Sequence, residues 1–378
     1  MYLSRLALVK YRNFRSLELS LPAGMVLLVG ANAQGKSNLL EAAYILAIAK
    51  SYRATTEREL VLREALENAR SLGSGQSLIT GDAELDGAHL RVVIGLRFGV
   101  AGGTGGSLVQ KQIRVNGVST TASGLVGRVN AVLFTADDIE LVQGSPSTRR
   151  RFLDILLSQV DRSYLRTLQR YQRVLAQRNH LLRLIREGRS SCQELGFWDS
   201  ELVKEGTTVI TWRDQVIAQL APLAMRAYRD LADSREELIV AFQPSVPAAE
   251  LEGVLRAQRD REVGAGVTLS GPHRDDFALE VEGMSAASYA SRGQARTIAL
   301  ALRLAEATLL KEARREEPIL LLDDVLSELD TERRHRVLYE AARYQQALVT
   351  TAEPALIWDA PQKPEAVFVV RQGRVEQA

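Results

Sequence analysis

One short stretch constrains the fold of this chain more than any other, namely residues 26–44, VLLVGANAQGKSNLLEAAY. Its first four residues form an apolar run that predicts a buried strand, and its last seven predict a helix. Between them, Gly30 is followed by four residues and then by Gly35-Lys36-Ser37, which is the spacing of a phosphate-binding loop. Glycines let the backbone approach an anion closely, and the following helix presents its positive end. The stretch therefore predicts a nucleotide site on a strand–loop–helix unit.

The chemistry of such a loop assigns a role to each residue. Lys36 would reach the β- and γ-phosphates of ATP, and the Ser37 hydroxyl would bind Mg²⁺. Inward-pointing backbone N–H groups would form an anion nest in the loop, which comprises Gly30, Ala31, Asn32, Ala33, Gln34 and Gly35. The alternative is a glycine turn that joins a strand to a helix and binds no ligand.

A second segment supplies the acidic half of a nucleotide site. Residues 319–322 are fully apolar and predict a strand, which ends in Asp323-Asp324. In parallel sheets the carboxyl ends of the strands face the ligand crevice. Asp323 would hold Mg²⁺, and Asp324 would orient or deprotonate the attacking water. The alternative is that two acidic residues solvate the end of a strand.

The two halves of this site lie far apart, at residues 30–37 and 323–324, which exceeds the span of a typical domain. We therefore predict an insertion. The predicted ATP-binding lobe combines 1–139 with 263–378 and contains an antiparallel β subdomain near 80–135. Long helical patterns at 149–189 and 197–231 predict a helical hairpin within an inserted lobe at 140–262.

Several smaller signals refine this outline. Strands are predicted within 79–98 and 110–115, joined by the glycine-rich segment 101–107, which we interpret as a plain loop. Asn116-Gly117 predicts a tight hairpin turn. A helix is predicted to begin at Ser291, and Thr331 is the expected N-cap of a later helix.

Composition limits the cellular setting. The chain of 378 residues contains one cysteine, Cys192, so it cannot form an intramolecular disulfide, which fits a reducing compartment. The first residues carry charges and include no long apolar segment, which predicts that no signal peptide is present. No stretch approaches the roughly 18 apolar residues of a membrane span. We expect a cytoplasmic protein that does not contact a membrane.

Positive charge is concentrated in one helical segment. Residues 149–189 contain eleven arginines and only three acidic residues. Four of the arginines share one helical face, which predicts sequence-independent contact with the backbone of double-stranded DNA: Arg162, Arg166, Arg170 and Arg173. The alternatives are a solvated helix face and, for Arg149–Arg151, a role in contact between lobes.

Several motifs together resemble a known group of proteins. Gly30-Ala31-Asn32, the SRGQ element at 291–294 and LLLDDVLSELD at 320–330 resemble the ATP-binding-cassette heads of chromosome-maintenance and DNA-repair proteins. Within that group the chain resembles the RecF family. The stretches that carry this likeness extend from residue 11 to residue 330 and include YRNFRSLEL, FTADDIELVQGSPSTRRRFLD, GPHRDDF and SRGQARTIALALRLAE.

The resemblance implies an α/β fold, a discontinuous P-loop ABC-type ATPase head with an antiparallel β subdomain and an inserted helical lobe. It implies a head-to-head dimer that sandwiches two ATP molecules. Residues from one copy would then face the γ-phosphate held by Lys36 of the other, namely Ser291, Gly293 and Gln294, and Asp330 would line the same interface. It further implies recombinational repair on double-stranded DNA near single-stranded gaps, with RecR as a partner and RecA loaded indirectly.

Two departures from the cassette pattern affect the predicted chemistry. Asp324 stands where glutamate is usual, and Thr350-Thr351-Ala352 stand where a histidine switch is usual. Both predict slow hydrolysis, which suits a timed switch better than a motor. Two alternatives remain, a transporter ATPase subunit and a nucleotide-gated DNA-binding module without significant hydrolysis. The segment His273–Asp276 is open between a structural turn and a ligand contact.

Overall fold

The computed structural model describes residues 1–72, 74–100, 107–232, 236–358 and 362–378. They form two compact units, Met1–Asp137 with Glu306–Ala378, and Asp138–Ala305. Most of the predicted glycine-rich loop, at 101–106, lies outside the described residues. The lobes predicted at 1–139 with 263–378 and at 140–262 stay a prediction.

The elements are numbered in chain order. The strands of the first unit are β1 (Tyr2–Tyr11), β2 (Phe14–Ser20), β3 (Gly24–Val29), β4 (Ser74–Leu85), β5 (Ala88–Val100), β6 (Ser107–Val115), β7 (Val118–Thr120), β8 (Ala131–Thr135), β12 (Ile319–Asp323), β13 (Gln346–Thr351), β14 (Ala366–Arg371) and β15 (Arg374–Gln377). The strands of the second unit are β9 (Leu238–Gln243), β10 (Asp276–Val281) and β11 (Met284–Ser285).

The helices follow the same numbering. They are α1 (Lys36–Ile48), α2 (Arg63–Leu72), α3 (Ala122–Leu125), α4 (Glu140–Gln143), α5 (Pro146–Val160), α6 (Arg162–Arg186), α7 (Leu195–Ala232), α8 (Leu251–Ala257), α9 (Arg259–Ala265), α10 (Ala286–Tyr289), α11 (Arg292–Arg314), α12 (Thr331–Ala341) and α13 (Ala355–Trp358).

A mainly parallel sheet positions the predicted nucleotide residues. Its strand order is β15-β14-β3-β13-β12-β8, and only β15 pairs antiparallel within it. Its central strands are almost fully buried, and β3 and β12 are accordingly apolar runs, whereas β13 also buries Gln346, Thr350 and Thr351. Since β3, β13 and β12 are parallel, their carboxyl ends lie at one edge of the sheet. That edge receives the loop after β3 and the aspartates at the end of β12.

A second sheet of the first unit is antiparallel, with the order β2-β1-β4-β5-β6-β7. It includes the two N-terminal strands, whereas β8, which falls inside the predicted range 80–135, belongs to the parallel sheet. The predicted strand region 79–98 is divided by a turn at Asp86-Gly87, where Gly87 has a φ of 73°. One hydrophobic core joins residues of both sheets and α1, including Leu8, Leu40, Ile94 and Leu321.

The second unit contains the predicted helical hairpin, formed by α6 and α7. Asp161 separates α5 from α6, because its carboxylate accepts a hydrogen bond from the Ser163 N–H and caps the second helix. This unit also contains an antiparallel pair, in which β10 pairs with β9 from Asp276↔Gln243 to Val281↔Leu238. In the described parts of the chain, no helix combines the length and apolar character needed to cross a membrane.

Candidate nucleotide site

The predicted phosphate loop connects β3 to α1 within the first unit. Gly35 has a φ of 116° and directly precedes the first residue of α1, Lys36. Gly30 has a φ of 156°, and a Cβ there would lie 2.3 Å from the Val370 carbonyl oxygen of β14. Only glycine fits the start of the loop, because the neighbouring strand leaves no room for a side chain.

The side chain of Lys36 folds back over the phosphate loop. Its Nζ donates hydrogen bonds to the carbonyl oxygens of Gly30 at 2.6 Å and Ala31 at 3.0 Å, and the residue is 6% exposed. Burial lowers the pKa of the Lys36 ammonium, and the carboxylates of Asp324 and Asp323 oppose that shift. The lysine therefore places a positive charge beside both predicted acidic residues.

Asp323 is the last residue of β12, and Asp324 follows it. In the sheet, β13 lies between β12 and β3. Asp323 is paired in register with Thr350 of β13. Asp324 has a φ of 53°, and its N–H donates to the Thr350 Oγ1 at 2.9 Å. Burial raises the pKa of Asp324, Lys36 opposes the rise, and Asp323 adds to it. The structure thus brings Lys36, Asp323 and Asp324 into one electrostatic cluster.

Two residues that sequence reasoning missed connect this cluster. The Tyr52 hydroxyl donates to Asp323 Oδ2 at 2.6 Å and lies 3.4 Å from the Ser37 carbonyl oxygen. The Thr350 hydroxyl donates to Asp323 Oδ1 at 3.0 Å. Burial, with Asp323 beside it, raises the pKa of Tyr52, so the phenol stays protonated and donates. No local motif marks Tyr52, and Thr350 was noted only as a departure from a histidine.

The residues present fit ATP and Mg²⁺. Among the described residues, Asp324 Oδ1 is buried and finds no hydrogen-bond partner, which leaves one acceptor of this carboxylate unsatisfied. Within the same described ranges, no three His, Cys, Asp or Glu side chains are grouped to hold a metal ion. The predicted ligands of Mg²⁺ are instead Ser37 and Asp323, and sites of this kind complete the shell with water and phosphate oxygens.

A cavity of about 1330 Å³ opens beside the loop within the first unit. Its lining comes from four parts of the chain, namely the β1–β2 hairpin, the phosphate loop, the segment after β13 and the β14–β15 hairpin. The residues that these parts contribute include Asn13, Arg15, Gly30, Ala31, Gln34, Arg371, Gln372, Gly373 and Arg374. The cavity borders one side of the phosphate loop, whereas Lys36, Ser37, Asp323 and Asp324 are not among the residues that line it.

The other predicted nucleotide residues belong to the second unit, at the start of α11. Ser291 and Gln294 form a reciprocal capping box, with the Gln294 N–H donating to Ser291 Oγ at 3.2 Å and the Ser291 N–H donating to Gln294 Oε1 at 3.0 Å. Ser291 and Gly293 are exposed, and Gly293 has open space around its Cα. The helix start is thus accessible to a ligand or to a second chain.

Asp330 has a local structural role in the first unit. It is the N-cap of α12, where its carboxylate accepts from the Arg333 N–H at 2.9 Å and pairs with the Arg333 guanidinium at 2.7 Å. The prediction of Thr331 as N-cap is wrong by one residue, because the carboxylate of Asp330 accepts the hydrogen bond from the Arg333 N–H and Thr331 is already the first residue of the helix. The hydrogen bond from the Arg333 N–H lowers the pKa of Asp330. Its role at a dimer interface stays a prediction.

The predicted DNA-binding arginines lie on α6 in two kinds of environment. Arg166 and Arg173 are exposed. Arg170 is also exposed but pairs with the buried carboxylate of Glu205 at 3.1 Å, and Arg162 is half-buried. Contact with DNA stays a prediction for all four.

Other arginines of the same segment are internal, which reduces the charge that it presents to solvent. The guanidinium of Arg178 is fully buried between Asp199 and Glu262. Arg149 forms two hydrogen bonds to Asp276, at 2.7 and 2.8 Å. Arg150 donates to the carbonyl oxygen of Asp275.

The segment His273–Asp276 forms a turn within the second unit. Asp275 is fully buried and accepts hydrogen bonds from Arg213 at 3.2 Å and from the Ser245 N–H at 3.0 Å. His273 contacts the Tyr171 hydroxyl at 2.6 Å and the Thr268 carbonyl oxygen at 3.1 Å. These contacts identify a structural role for the segment.

Comparisons of sequence agree with the geometry. The model of the RecF/RecN/SMC N-terminal domain family matches residues 2–376. A relative from Herpetosiphon aurantiacus named DNA replication and repair protein RecF is 42% identical, over 93% of each chain. A relative of the same name from Roseiflexus castenholzii is 40% identical, again over 93% of each chain. Both values are high enough to show common family membership.

Comparisons of structure give the same answer. A solved structure of the recombination mediator protein RecF with ATP, described as part of the RecFOR pathway, has a TM-score of 0.87 and 28% identity. It covers all of this chain and 97% of its own. The Smc head domain from Pyrococcus furiosus shares the fold alone, with a TM-score of 0.54, 16% identity and coverage of 100% and 96%. The fold is that of an ABC-type ATPase head, and the chain belongs to the RecF family.

Proposed function

We propose that this protein binds ATP, hydrolyses it slowly and acts in DNA replication and recombinational repair. The observation that carries the proposal is the cluster at one sheet edge, where Lys36 faces Asp323 and Asp324 and the Tyr52 hydroxyl contacts both Ser37 and Asp323. A basic loop opposite two carboxylates is the arrangement that phosphoryl transfer with a divalent cation requires. The relatives named RecF and the RecF–ATP structure support the same assignment.

The roles of the residues follow from their positions. Lys36 and the N-terminal end of α1 bind the phosphates, while Ser37 and Asp323 hold Mg²⁺. Bound Mg²⁺ offsets the charge on the phosphate oxygens. Tyr52 and Thr350 fix the orientation of the Asp323 carboxylate, because each donates to a different oxygen. Asp324, which directly follows β12, orients the attacking water or accepts a proton from it.

Slow turnover follows from the same geometry. Asp324 is one methylene shorter than the glutamate usual in cassette ATPases, and Thr350 is committed to Asp323 and to the Asp324 N–H. Hydrolysis then limits the lifetime of the ATP-bound state, so the protein works as a switch that duplex DNA stimulates. The cytoplasmic location expected from the sequence stays a prediction.

Assembly completes the proposal. In the ATP-bound state two copies form a head-to-head dimer on double-stranded DNA near single-stranded gaps. Ser291, Gly293 and Gln294 of one copy then bind the γ-phosphate held by Lys36 of the other, and Asp330 lines the interface. The exposed capping box at the start of α11 supports this role, since a helix N-terminus attracts anions. RecR is the proposed partner, and RecA is loaded indirectly.

Membership of the RecF family favours a function in DNA repair over that of a transporter ATPase subunit. The remaining alternative, a DNA-binding module without significant hydrolysis, differs in one measurable property. Phosphate release followed over hours, with and without duplex DNA, separates the two. The proposal predicts slow release that duplex DNA increases, whereas the alternative predicts none above a protein-free control.

The direct test of ATP-dependent assembly is sedimentation of wild type and Lys36→Met with Mg²⁺ and ATP. Removing the ammonium is expected to weaken nucleotide binding by at least ~10-fold, since hydrogen bonds to charged groups contribute about 1.5–3 kcal/mol. Wild type should form a dimer with ATP, and Lys36→Met should stay monomeric. Lys50→Met is the matched control, because Lys50 is exposed and directly follows the same helix. Normal dimerisation of Lys36→Met would overturn the proposal.

A further inference from the structure

Two turns from opposite ends of the chain contact the tip of the phosphate loop. One is the turn between β1 and β2, which contains Arg12 and Asn13, and the other is the turn between β14 and β15, which contains Gln372 and Gly373. We name these four residues the loop clamp. All of them belong to the first unit, as does the phosphate loop.

The side chain of Asn13 bridges the loop and the helix that follows it. Its Nδ2 donates to the Gln34 carbonyl oxygen at 2.9 Å, and its Oδ1 accepts from Asn38 Nδ2 at 2.8 Å. The amide also packs against Gly35, where an added Cβ would lie 2.6 Å from Asn13 Nδ2. Asn13 therefore fixes Gln34 relative to the first turn of α1.

The C-terminal hairpin holds the same loop residue from a second direction. The Gln372 N–H donates to Gln34 Oε1 at 2.7 Å, and the Gly373 N–H donates to the Gln34 carbonyl oxygen at 3.3 Å. Gly373 has a φ of 74°, and a Cβ there would lie 2.4 Å from the Asn13 carbonyl oxygen. The two turns are thus packed against each other as well as against the loop.

A buried ion pair anchors the first turn to α1. The Arg12 guanidinium donates to both carboxylate oxygens of Glu41, at 2.8 and 2.6 Å, and Glu41 is fully buried. The hydroxyls of Tyr11 and Ser51 donate to the same carboxylate. Arg12 keeps a φ of 50°, a costly conformation that this anchoring sustains. The turn therefore cannot move without breaking a buried charge network.

We propose that Asn13 and the Gln372–Gly373 turn are positioning residues that hold the phosphate loop in its anion-binding conformation before nucleotide arrives. A loop ordered in advance avoids paying its ordering cost during binding, which increases affinity. The coupling is reciprocal, so nucleotide binding should also protect the β14–β15 turn near the end of the chain. The nucleotide part of this inference rests on the proposed function.

The chain offers closely matched controls. Asn116 and Gly117 form the turn between β6 and β7, where Gly117 has a φ of 81° and an added Cβ would meet no atom within 4 Å. Gly373→Ala and Gly117→Ala therefore carry the same cost of placing an alanine at positive φ. Only Gly373→Ala also pushes its turn away from the turn between β1 and β2 and from the phosphate loop. Asn116→Ala is the control for Asn13→Ala; it removes one side-chain hydrogen bond, from the Arg91 N–H, where Asn13→Ala removes two.

The experiment measures hydrogen–deuterium exchange of residues 30–38 without nucleotide, then affinity for a fluorescent ATP analogue with Mg²⁺. Asn13→Ala and Gly373→Ala should speed exchange of the loop and weaken affinity by ~5–10-fold, the equivalent of one hydrogen bond, with the controls near wild type. Thermal unfolding should change by similar amounts in test and control variants.

Each outcome decides a part of the inference. If loop exchange and affinity in both test variants equal those of their controls, the loop clamp has no positioning role. If only one variant acts, the other turn is excluded. If wild type fails to bind the analogue, the proposed function fails, whereas loop exchange without nucleotide still tests the loop clamp.

Discussion

At the scale of residues, the hydroxyl of Tyr52 connects two predicted metal ligands that are far apart in sequence. It lies within hydrogen-bond distance of the Ser37 carbonyl and of Asp323, although the first contact, at 3.4 Å, is long. The residue is mostly buried, so water does not compete effectively for the carboxylate. We infer that Tyr52 sets the position of Asp323 more than it contributes to folding.

Tyr52→Phe tests this inference because it removes the hydroxyl and keeps the ring. Loss of such an outer-shell hydrogen bond typically costs ~10-fold or more in metal affinity, so half-saturation of ATP hydrolysis should require ~10-fold more Mg²⁺. Tyr339→Phe is the control, since that ring is exposed on α12. An unchanged Mg²⁺ requirement in Tyr52→Phe would show that Asp323 is positioned without it.

At the scale of elements, α6 combines an internal and an external face. Arg178 is buried in an ion-paired network, whereas Arg166 and Arg173 are exposed. Periodicity predicted one helical pattern over 149–189, which the structure divides into α5 and α6 at Asp161. Residue counts overstated the surface charge of this segment, because sequence does not reveal which arginines find buried acidic partners. The exposed pair gives the sharper test of DNA binding.

Reversing the charge of Arg166 and Arg173 together, as Arg166→Glu with Arg173→Glu, should weaken binding of duplex DNA. Each lost phosphate contact should reduce the slope of log affinity against log salt by about 0.9, so the slope should change by about 2. The double lysine variant keeps the charge and should retain most of the affinity. Equal salt slopes for the glutamate variant and wild type would exclude this face from the DNA site.

The turn that packs against α6 predicts a pH dependence of stability. Burial lowers the pKa of His273 from its usual 6.5 to about 4, and Arg274, Arg150 and Arg178 add to the effect. Its Nε2–H donates to the Thr268 carbonyl, so its Nδ1 accepts from the protonated Tyr171 hydroxyl. The neutral form of His273 is therefore the one that the fold stabilises.

Between pH 6.5 and 4 the unfolded chain binds a proton at this position that the folded chain resists. The unfolding free energy should therefore fall as pH decreases through that window. His273→Gln should flatten the dependence, and His180→Gln should not, since His180 is exposed on α6. Denaturant unfolding at pH 7, 6, 5 and 4 measures how the unfolding free energy depends on pH. The same pH dependence for His273→Gln and wild type would contradict a lowered pKa of His273 as its cause.

At the scale of the whole molecule, contiguous patterns predicted the strand–loop–helix unit at 26–44 and the strand that ends at Asp323, and the structure contains both. The phosphate loop and the acidic strand end were readable because each is a contiguous pattern with a fixed context. The pairing of β10 with β9 and the place of β8 in the parallel sheet were not predicted, because long-range strand pairing leaves no local signal. The contacts of Tyr52 with Asp323 and of Asn13 with Gln34 were not predicted either, because each joins residues that are distant in sequence.

Gly293→Glu tests the proposed assembly without disturbing the monomer. The space around Gly293 is open, and an acidic residue in the first turn of a helix is favourable. The variant should bind ATP normally but lose ATP-driven dimerisation, since the carboxylate would repel the γ-phosphate held by a second copy. Gly253→Glu, on α8 in equally open space, is the control and should dimerise. Sedimentation with ATP and Mg²⁺ compares them.

The central claim is that a second copy of the chain completes the nucleotide site. A structure of Asp324→Asn, which should bind ATP and hydrolyse it very slowly, tests this directly when determined with ATP, Mg²⁺ and duplex DNA. The account predicts that Ser291 and Gly293 of one copy contact the γ-phosphate bound by Lys36 of its partner. A structure in which nucleotide is bound at Lys36, but the start of α11 lies far from every phosphate, would contradict it.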